Sequence, residues 1–192
     1  MLARERLREL TGARRLLRAH QVHGLTVSRV TRMPPGPDAP VGGEQADGQA
    51  TTVVGLAPIV LSADCLPVAL GGEGVIAAVH AGWRGLAGGV LEQGVLALRE
   101  LGGEDGAITA LIGPGAGRCC YEAGEEVHAA FAGRHRHGQN IDLRALARER
   151  LLAAGVADVR DVEACTICDE RFFSHRREGE RAGRQGVVAW LS

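Results

Sequence analysis

The segments LSADCLP (residues 61–67) and AAVHAGWRG (residues 77–85) decide the predicted fold, because each carries the end of an apolar strand into a turn. The strand PIVLS leads into the first segment, and VIAAV leads into the second. Cys65 and His80 therefore lie at the ends of two predicted core strands. A thiol and an imidazole placed there could form a thiolate nucleophile with its base, or part of a metal site.

Further elements follow on both sides of these segments. The short runs TTVVGLAPIVLSA, LPVAL, GVIAAVH and ITALIGP are rich in β-branched residues and bounded by Gly, Pro or Asp, which predicts buried strands. Apolar spacing and turn residues predict the rest: helices over residues 2–19, 83–101, 122–131 and 142–154, strands over 26–31, 162–164 and 186–191, and a loop over 33–49. Strands and helices mix without a βαβ repeat, so we expect an α+β fold with one domain over residues 1–192.

The composition is that of an ordinary globular protein and excludes several functional classes. The 192 residues are 45% hydrophobic and 23% charged, with a net charge of −1, so no strong field attracts nucleic acid. No segment approaches the length that crosses a bilayer, and the charged N-terminus lacks the apolar stretch of a secretory signal. Five cysteines without a regular spacing are typical of a reduced protein. We therefore expect a cytoplasmic protein that binds neither nucleic acid nor membrane.

His23, in the segment QVHG between the first helix and the first strand, decides between the two kinds of site. An isolated histidine or cysteine is more often structural than functional. If His23 joins Cys65 and His80, however, two imidazoles and one thiolate give zinc three protein ligands and leave its fourth position open, which is the arrangement of a catalytic zinc. If it does not, Cys65 as nucleophile with His80 as its base is the remaining alternative.

Arginines stand in two segments that could bind an anion. All 22 basic residues are arginine, which reflects a bias in composition, so only individual positions are informative. Arg84 lies at the start of a predicted helix, where backbone N–H groups and a guanidinium could hold an anion together. The segment SHRREGERAGR (residues 174–184) is either a solvated hairpin or an anion clamp made by Arg176 or Arg177, with Arg184 as a weaker candidate.

The other four cysteines have no clear role in the sequence. CTIC (residues 165–168) has the spacing of a zinc or redox motif, but a second pair of that spacing is missing and the surroundings are not those of a thioredoxin. Cys119 and Cys120 are adjacent, and a disulfide between neighbours is strained, so we expect them to serve packing. The glycine-rich IGPGAGRCC lacks the dinucleotide and phosphate-loop patterns and indicates only a turn.

Taken together, the ordered motifs resemble the YfiH family from about Leu2 to the C-terminus. They are QVHG, ADGQAT, SADCLP, AAVHAGWRG, IGPG-x-G-x-CCYE-x-GEEV, IDL-x-x-x-AR and FFSHRREG-x-x-x-GRQG. This family carries the label multicopper polyphenol oxidoreductase (laccase) domain, and its members are described as purine nucleoside phosphorylases with deaminase activity. The resemblance implies a mixed-sheet sandwich of the α/β/β/α type and a mononuclear zinc site, with catalytic metal ligands at His23, Cys65 and His80.

The implied substrates are purine nucleosides and phosphate. The resemblance implies phosphorolysis of adenosine, guanosine, inosine and methylthioadenosine, together with hydrolytic deamination of adenosine, and we take Arg84 and Arg176 as candidates for binding phosphate. The protein would be a monomer or a homodimer. The family pattern usually begins with TTR-x-GGVS-like and SLNL-like segments before the first helix, where this chain begins; we therefore expect some strands and substrate contacts to be missing and a sheet edge to be exposed.

Three alternatives remain open beside the zinc enzyme. A metal-free thiol hydrolase would use Cys65 and His80 but leave His23 idle. Copper-dependent oxidation of phenols would use one Cys and two His, but only Met1 and Met33 could supply the axial ligand of a blue-copper site, and seven histidines are few for a multinuclear cluster. The third alternative is a non-catalytic remnant that binds nucleosides without turnover.

Overall fold

The computed structural model describes residues 2–34, 45–103 and 106–191. Within these ranges the strands are β1 (Arg15–Leu17), β2 (Val27–Val30), β3 (Gly48–Thr51), β4 (Leu56–Ser62), β5 (Leu66–Gly72), β6 (Val75–Ala81), β7 (Thr109–Ile112), β8 (Arg136–His137), β9 (Asn140–Ile141), β10 (Asp158–Asp161) and β11 (Gln185–Val188). The α-helices are α1 (Leu2–Thr11), α2 (Trp83–Gly88), α3 (Val90–Leu98), α4 (Glu125–Ala130), α5 (Leu143–Ala153) and α6 (His175–Glu178). A π-helical turn (Arg99–Gly103) follows α3, and a 3₁₀ turn (Gly179–Arg181) follows α6.

Two mixed sheets make the framework. The larger sheet has the order β10-β7-β5-β6-β3-β2 and is antiparallel from β7 to β3, whereas its outermost pairs, β10 with β7 and β2 with β3, are parallel. The smaller sheet has the order β1-β4-β11, with β1 parallel and β11 antiparallel to β4. The central strand β6 is buried along its whole length, as a strand covered on both faces must be.

The two sheets pack face to face, and each carries helices on its outer side. On the larger sheet, α3 lies across β6, β3 and β2, and α5 packs against α3 and β10. The inner face of the larger sheet meets β4 of the smaller sheet, and Leu7 of α1 packs with Leu16 and Ile59 on that smaller sheet. The layers therefore follow the order α/β/β/α, and the predicted α+β fold with a mixed-sheet sandwich is confirmed.

The helical layer approaches the larger sheet closely at Gly94 of α3. A Cβ at this position would stand 2.8 Å from Leu70 Cδ1 and 2.9 Å from Val79 Cγ2, closer than side-chain carbons pack. The missing side chain lets Val95 and Leu98 on the same helix reach full burial in the main core. This glycine therefore belongs to the packing of the sandwich rather than to a turn.

The helix predicted over residues 2–19 is wrong beyond Thr11. The Thr11 hydroxyl donates a hydrogen bond to Leu7 O (2.7 Å) and accepts one from Ala13 N (3.2 Å), so the helix ends there. The next residues form β1, which pairs with β4. The leucines of β1 fit a helical stripe and a buried strand equally well, and their pairing with a distant strand decides the outcome.

Two further predictions need correction. The helix predicted over residues 83–101 is divided at Gly89, which has φ 102° and ends α2 before α3 begins. The strand predicted over residues 162–164 is wrong, because β10 comes earlier: Val159 is buried and pairs with β7, whereas Val162 is 48% exposed.

The loop predicted over residues 33–49 is wrong at its end, where Gly48 and Gln49 begin β3. Both residues are buried and pair with β2 on one side and β6 on the other, and this pairing makes the segment a strand. Residues 35–44 of the predicted loop lie outside the described residues. The other predicted strands and helices are present with shifted ends, and in the described ranges no helix is long and apolar enough to cross a bilayer.

The connections that carry the sequence motifs meet around one cavity. They are residues 18–26 between β1 and β2, residues 63–65 between β4 and β5, the end of β6, residues 113–124 after β7, and the long segment 162–184. Residues far apart in the sequence are thus held by short, rigid strands at one place in the fold.

Candidate metal centre and substrate cavity

The structure brings His23, Cys65 and His80 together. Their potential ligand atoms all lie within 4.8 Å of one another. Cys65 Sγ is 3.8 Å from His23 Nε2, and the rings of His23 and His80 meet edge to face with centroids 4.9 Å apart. His80 is buried, Cys65 is half-buried and His23 is exposed. One thiol and two imidazoles in this arrangement could hold a metal ion, with one side of the group open to the cavity.

Asp47 organises two of these three residues, and sequence reasoning missed it. Its fully buried carboxylate accepts a hydrogen bond from His80 Nδ1 (2.8 Å) and from the backbone N–H groups of Val22 (3.2 Å), His23 (2.9 Å) and Gly24 (2.6 Å). The bond to Nδ1 leaves His80 Nε2 facing the thiol. A carboxylate behind a histidine in this way fixes the ring and its tautomer, as is usual for histidines that bind metals. The signal in the sequence was the aspartate of ADGQAT.

The charges of the three residues depend on one another. Burial raises the pKa of the Cys65 thiol, but its hydrogen bonds with His23 and His80 outweigh burial and lower this pKa to about 6. Burial lowers the pKa of His80, whereas its bonds with Asp47 and Cys65 raise it to about 9. At neutral pH the metal-free protein therefore pairs a thiolate with an imidazolium. Metal binding needs the neutral imidazole, so it releases the proton of His80.

Gly82 leaves the space that the trio occupies. A Cβ at this position would stand 2.7 Å from His23 Cδ2 and 3.1 Å from Cys65 Sγ. The backbone of Gly82 is extended (φ −67°, ψ 162°), so the residue matters through its missing side chain rather than its flexibility. The donor set and its spacing fit a Zn²⁺ ion, for which mixed imidazole and thiolate ligands are usual.

A cavity of about 490 Å³ opens in front of the trio. This volume suits a ligand of nucleoside size. Arginine and histidine dominate its polar lining. Among the described residues that line it, Asp64 supplies the single carboxylate, which already accepts hydrogen bonds from Thr166 and Arg176. The lining residues are Arg18, His20, Gln21, His23, Leu61, Ser62, Ala63, Asp64, Cys65, His80, Trp83, Tyr121, Leu143, His175, Arg176 and Arg184.

Asp64 ties three parts of the cavity wall together. Its buried carboxylate accepts hydrogen bonds from the Thr166 hydroxyl and from Arg176 N, both at 2.7 Å, and its carbonyl accepts one from Ala116 N at 2.7 Å. The residue has φ 87°, a left-handed conformation that costs a non-glycine residue about 1–3 kcal/mol and persists only where the surroundings impose it. These bonds impose it, so the residue next to Cys65 is fixed from three directions.

Two of the predicted anion-binding arginines lie in different places. Arg176 lines the cavity, and its guanidinium carbon is 4.9 Å from the centroid of the Tyr121 ring. Arg84 is exposed and stacks on the Trp83 ring at 4.2 Å, and the cavity lining described above includes Trp83 but not Arg84. Tyr121 was missed as a site residue. Its position directly after the adjacent cysteines gave no chemical signal.

The remaining two arginines also have defined positions. Arg177 donates to Thr166 O (2.8 Å), Ile167 O (3.1 Å) and Phe172 O (2.6 Å), so it braces the chain. Arg184 lines the cavity and donates to the carbonyls of residues 182 and 183. The segment predicted as either a hairpin or a clamp is thus a wall of the cavity.

The prediction that Cys119 and Cys120 serve packing is wrong. Both are on the surface or half-buried, and they meet Cys165 and Cys168, so that the four sulfur atoms lie within 4.8 Å of one another. Cys120 and Cys168 form a disulfide, and Cys119 Sγ lies 3.4 Å from Cys168 Sγ. The second pair that CTIC lacks in the sequence is therefore supplied by two adjacent cysteines.

The family model described as multi-copper polyphenol oxidoreductase laccase matches residues 2–192. The chain belongs to this family. It is 44% identical over 189 residues to a purine nucleoside phosphorylase of Xylella fastidiosa (strain Temecula1), covering 89% of this chain and 70% of that protein. It is 36% identical over 186 residues to the purine nucleoside phosphorylase YfiH of Escherichia coli (strain K12), covering 89% of this chain and 72% of that protein.

A solved structure has the same fold. YlmD from Geobacillus stearothermophilus superposes with a TM-score of 0.83 at 31% identity, covering 96% of this chain and 77% of that one. The predicted resemblance to the YfiH family is confirmed. The names of both relatives are those of enzymes.

Proposed function

We propose that this protein is a zinc-dependent purine nucleoside phosphorylase that also deaminates adenosine. The observation that carries the proposal is the trio of His23, Cys65 and His80 at the wall of a cavity whose other polar side chains are mostly cationic. A phosphate dianion and a nucleoside must meet there, and relatives that share most of the chain are named purine nucleoside phosphorylases.

Phosphate would bind at Arg176. The backbone N–H of Arg176 is fixed on Asp64, and its guanidinium rests on the Tyr121 ring, so the charged group is held inside the cavity. A guanidinium can bind two phosphate oxygens at once. Arg18 and Arg184 add positive charge to the same wall and raise the local concentration of anions. Arg84 remains our second candidate, from its place at the start of α2.

The nucleoside would lie between the aromatic side chains and the trio. Trp83 and Tyr121 both line the cavity and offer flat apolar surfaces for a purine ring. Burial raises the pKa of the Tyr121 hydroxyl, against the lowering effect of Arg176, so this hydroxyl stays protonated and can donate a hydrogen bond to the ribose or the base. Adenosine, guanosine, inosine and methylthioadenosine all share the purine and ribose that this arrangement would recognise.

Phosphorolysis requires a phosphate oxygen to attack ribose C1′ while the bond to the purine nitrogen breaks. Arg176 would hold the attacking phosphate and stabilise the charge that shifts during this step. His23, Cys65 and His80 would hold a zinc ion, which would supply Lewis-acid chemistry for both phosphorolysis and deamination. Asp47 keeps His80 in the tautomer that leaves Nε2 free, and Gly82 keeps the ligands together.

The test is to incubate the protein with adenosine and phosphate and to separate adenine, ribose 1-phosphate and inosine by chromatography. We expect adenine only when phosphate is present, and inosine with or without it. Arg176→Ala should raise KM for phosphate by roughly tenfold or more, the loss of one charge-assisted contact. Arg171→Ala is the matched control, because Arg171 pairs with Asp169 outside the cavity lining. Equal KM values in the two variants would contradict the assignment of Arg176.

A second candidate function is a thiol hydrolase. The observation that favours it is the chain of contacts from Cys65 through His80 to Asp47, which has the order of nucleophile, base and orienting carboxylate. Hydrolytic activity that survives exhaustive chelation but disappears on alkylation of Cys65 would favour this candidate. Oxidation of phenols that requires added copper would favour the oxidase, and nucleoside binding without product would favour a non-catalytic remnant.

A further inference from the structure

The four cysteines outside the cavity form a second cluster with the composition of a structural zinc site. Cys119 and Cys120 come from the loop after β7, and Cys165 and Cys168 come from the segment after β10. All four sulfurs lie within 4.8 Å of one another. Four thiolates around one Zn²⁺, with Zn–S distances of about 2.3 Å, make the closed tetrahedral arrangement typical of structural zinc.

The disulfide alone does not account for the cluster. It uses Cys120 and Cys168, and it leaves Cys119 and Cys165 as thiols beside it. Cys119 Sγ is 3.4 Å from Cys168 Sγ, and Cys165 Sγ accepts a hydrogen bond from Gly117 N at 3.2 Å. Cys119 and Cys168 are exposed, so apolar packing does not explain their presence either. A backbone N–H directed at sulfur is the kind of surrounding contact that supports a metal-bound thiolate.

The backbone around the cluster is fixed independently of the sulfurs. Gly117 O accepts hydrogen bonds from the N–H groups of Cys120 (3.1 Å) and Tyr121 (3.0 Å), and this turn places both adjacent cysteines near the partner segment. Gly115 N donates to Ala164 O (3.2 Å), and Thr166 N donates to Gly115 O (3.1 Å). The two segments are therefore already paired where the cysteines meet.

Charged side chains of both signs lie beside the cluster, namely Arg118, Arg144, Arg148, Asp142, Asp161 and Glu163. Arg144 donates to Ala164 O (2.5 Å) and Gly115 O (3.3 Å) and pairs with the carboxylate of Asp161. Arg118 and Arg148 line the same surface depression as Cys119 and Cys165. One Zn²⁺ with four thiolates keeps a net charge of about −2, and the carboxylates in this depression balance the guanidinium groups, so the charge of the surroundings neither favours nor opposes the ion.

We propose that the reduced form of this cluster binds a structural Zn²⁺ ion through Cys119, Cys120, Cys165 and Cys168, separate from the ion at His23, Cys65 and His80. The disulfide between Cys120 and Cys168 is the oxidised, metal-free form of the same site. A low-molecular-weight thiol opens it: two thiol molecules are oxidised to one disulfide, and the bond between the two sulfurs is replaced by two S–H groups. Zinc then displaces the four thiol protons.

The ion would join two segments that build the cavity wall. Cys120 precedes Tyr121, and Cys165 and Cys168 flank Thr166, whose hydroxyl bonds to Asp64. Zinc at the cluster would hold these groups in place, and its loss would loosen the wall without touching the trio.

The test counts zinc in protein that has been reduced, loaded with Zn²⁺ and freed of excess metal. We expect about two ions per chain in the wild type and about one in the double variant Cys119→Ser/Cys168→Ser. Cys65→Ser serves as the matched control, and it should also retain about one ion, lost from the other site. The proposal fails if the double variant keeps the wild-type zinc content. If the trio alone fails to bind zinc, the wild type and Cys65→Ser should each hold about one ion and the double variant about none, so the two failures give different results.

A measurement on the wild type avoids dependence on a variant that does not fold. The zinc-loaded protein is treated with iodoacetamide, and peptide mass spectrometry reports which cysteines react. We expect all four cluster cysteines to be protected until a strong chelator is added, and to react afterwards. Rapid alkylation of Cys119 and Cys165 in the zinc-loaded, reduced protein would overturn the proposal.

Discussion

Asp47→Asn should weaken metal binding at the trio and destabilise the fold, although it changes one atom. Oδ1 of Asp47 accepts from His23 N and His80 Nδ1, and Oδ2 accepts from Val22 N and Gly24 N. In either orientation of an asparagine amide, its NH₂ group faces two of these donors. Two donors to this buried group thereby lose their acceptor.

The size of both effects follows from these contacts. Each unsatisfied buried donor costs about 1–3 kcal/mol, so we expect a loss of roughly 3 kcal/mol in the free energy of unfolding of the metal-free protein. Loss of the carboxylate behind a metal-binding histidine lowers metal affinity by about 10–100-fold. Chemical denaturation measures the first effect, and competition with a chromophoric chelator measures the second.

Glu100→Gln is the control for the change from carboxylate to amide. Glu100 pairs with Arg29 on the surface, where both side chains are partly exposed to solvent, so its loss should cost less than about 1 kcal/mol and leave metal affinity unchanged. The role that we assign to Asp47 is refuted if Asp47→Asn matches this control in both measurements.

Three further predictions test the surroundings of the site. Gly82→Ala should lower metal affinity, because its Cβ would stand 2.7 Å from His23 Cδ2; chelator competition checks this, and an unchanged affinity would contradict it. In metal-free protein, the alkylation rate of Cys65 should rise with pH to a plateau with a midpoint near its pKa of about 6, because the thiolate is the reactive form; a midpoint above pH 8 would exclude the proposed pairing. Gly94→Ala should lower the free energy of unfolding by about 1–3 kcal/mol through overpacking and leave the metal content at the trio unchanged. An unchanged free energy of unfolding would contradict this, because it would mean that the neighbouring side chains rearrange to accept the added methyl group.

Much of the site could be predicted from the sequence because its residues stand at the ends of recognisable strands. Cys65 follows the apolar run of β4 and directly precedes β5, and β5 pairs with β6, whose end carries His80. His23 needed the resemblance to a family, since nothing local distinguishes it from a surface histidine. Asp47 lay in a predicted loop, and only its contacts with residues far away in the chain reveal its role.

The meeting of the four cysteines and the positions of the arginines could not be predicted from the sequence. The meeting of Cys119 and Cys120 with CTIC depends on the pairing of β7 with β10, a contact between segments that no short motif encodes. Arg84 and Arg176 looked equally suited to bind an anion. Side-chain stacking, on Trp83 in one case and on Tyr121 in the other, places only the second against the cavity.

The central claim is that His23, Cys65 and His80 bind zinc, and anomalous diffraction tests it most directly. Crystals of the reduced, zinc-loaded protein would be measured on both sides of the zinc and copper absorption edges. We predict a zinc peak about 2.0–2.3 Å from His23 Nε2, Cys65 Sγ and His80 Nε2. A copper signal at this position, or the lack of any peak among these three atoms in zinc-loaded crystals, would contradict the claim.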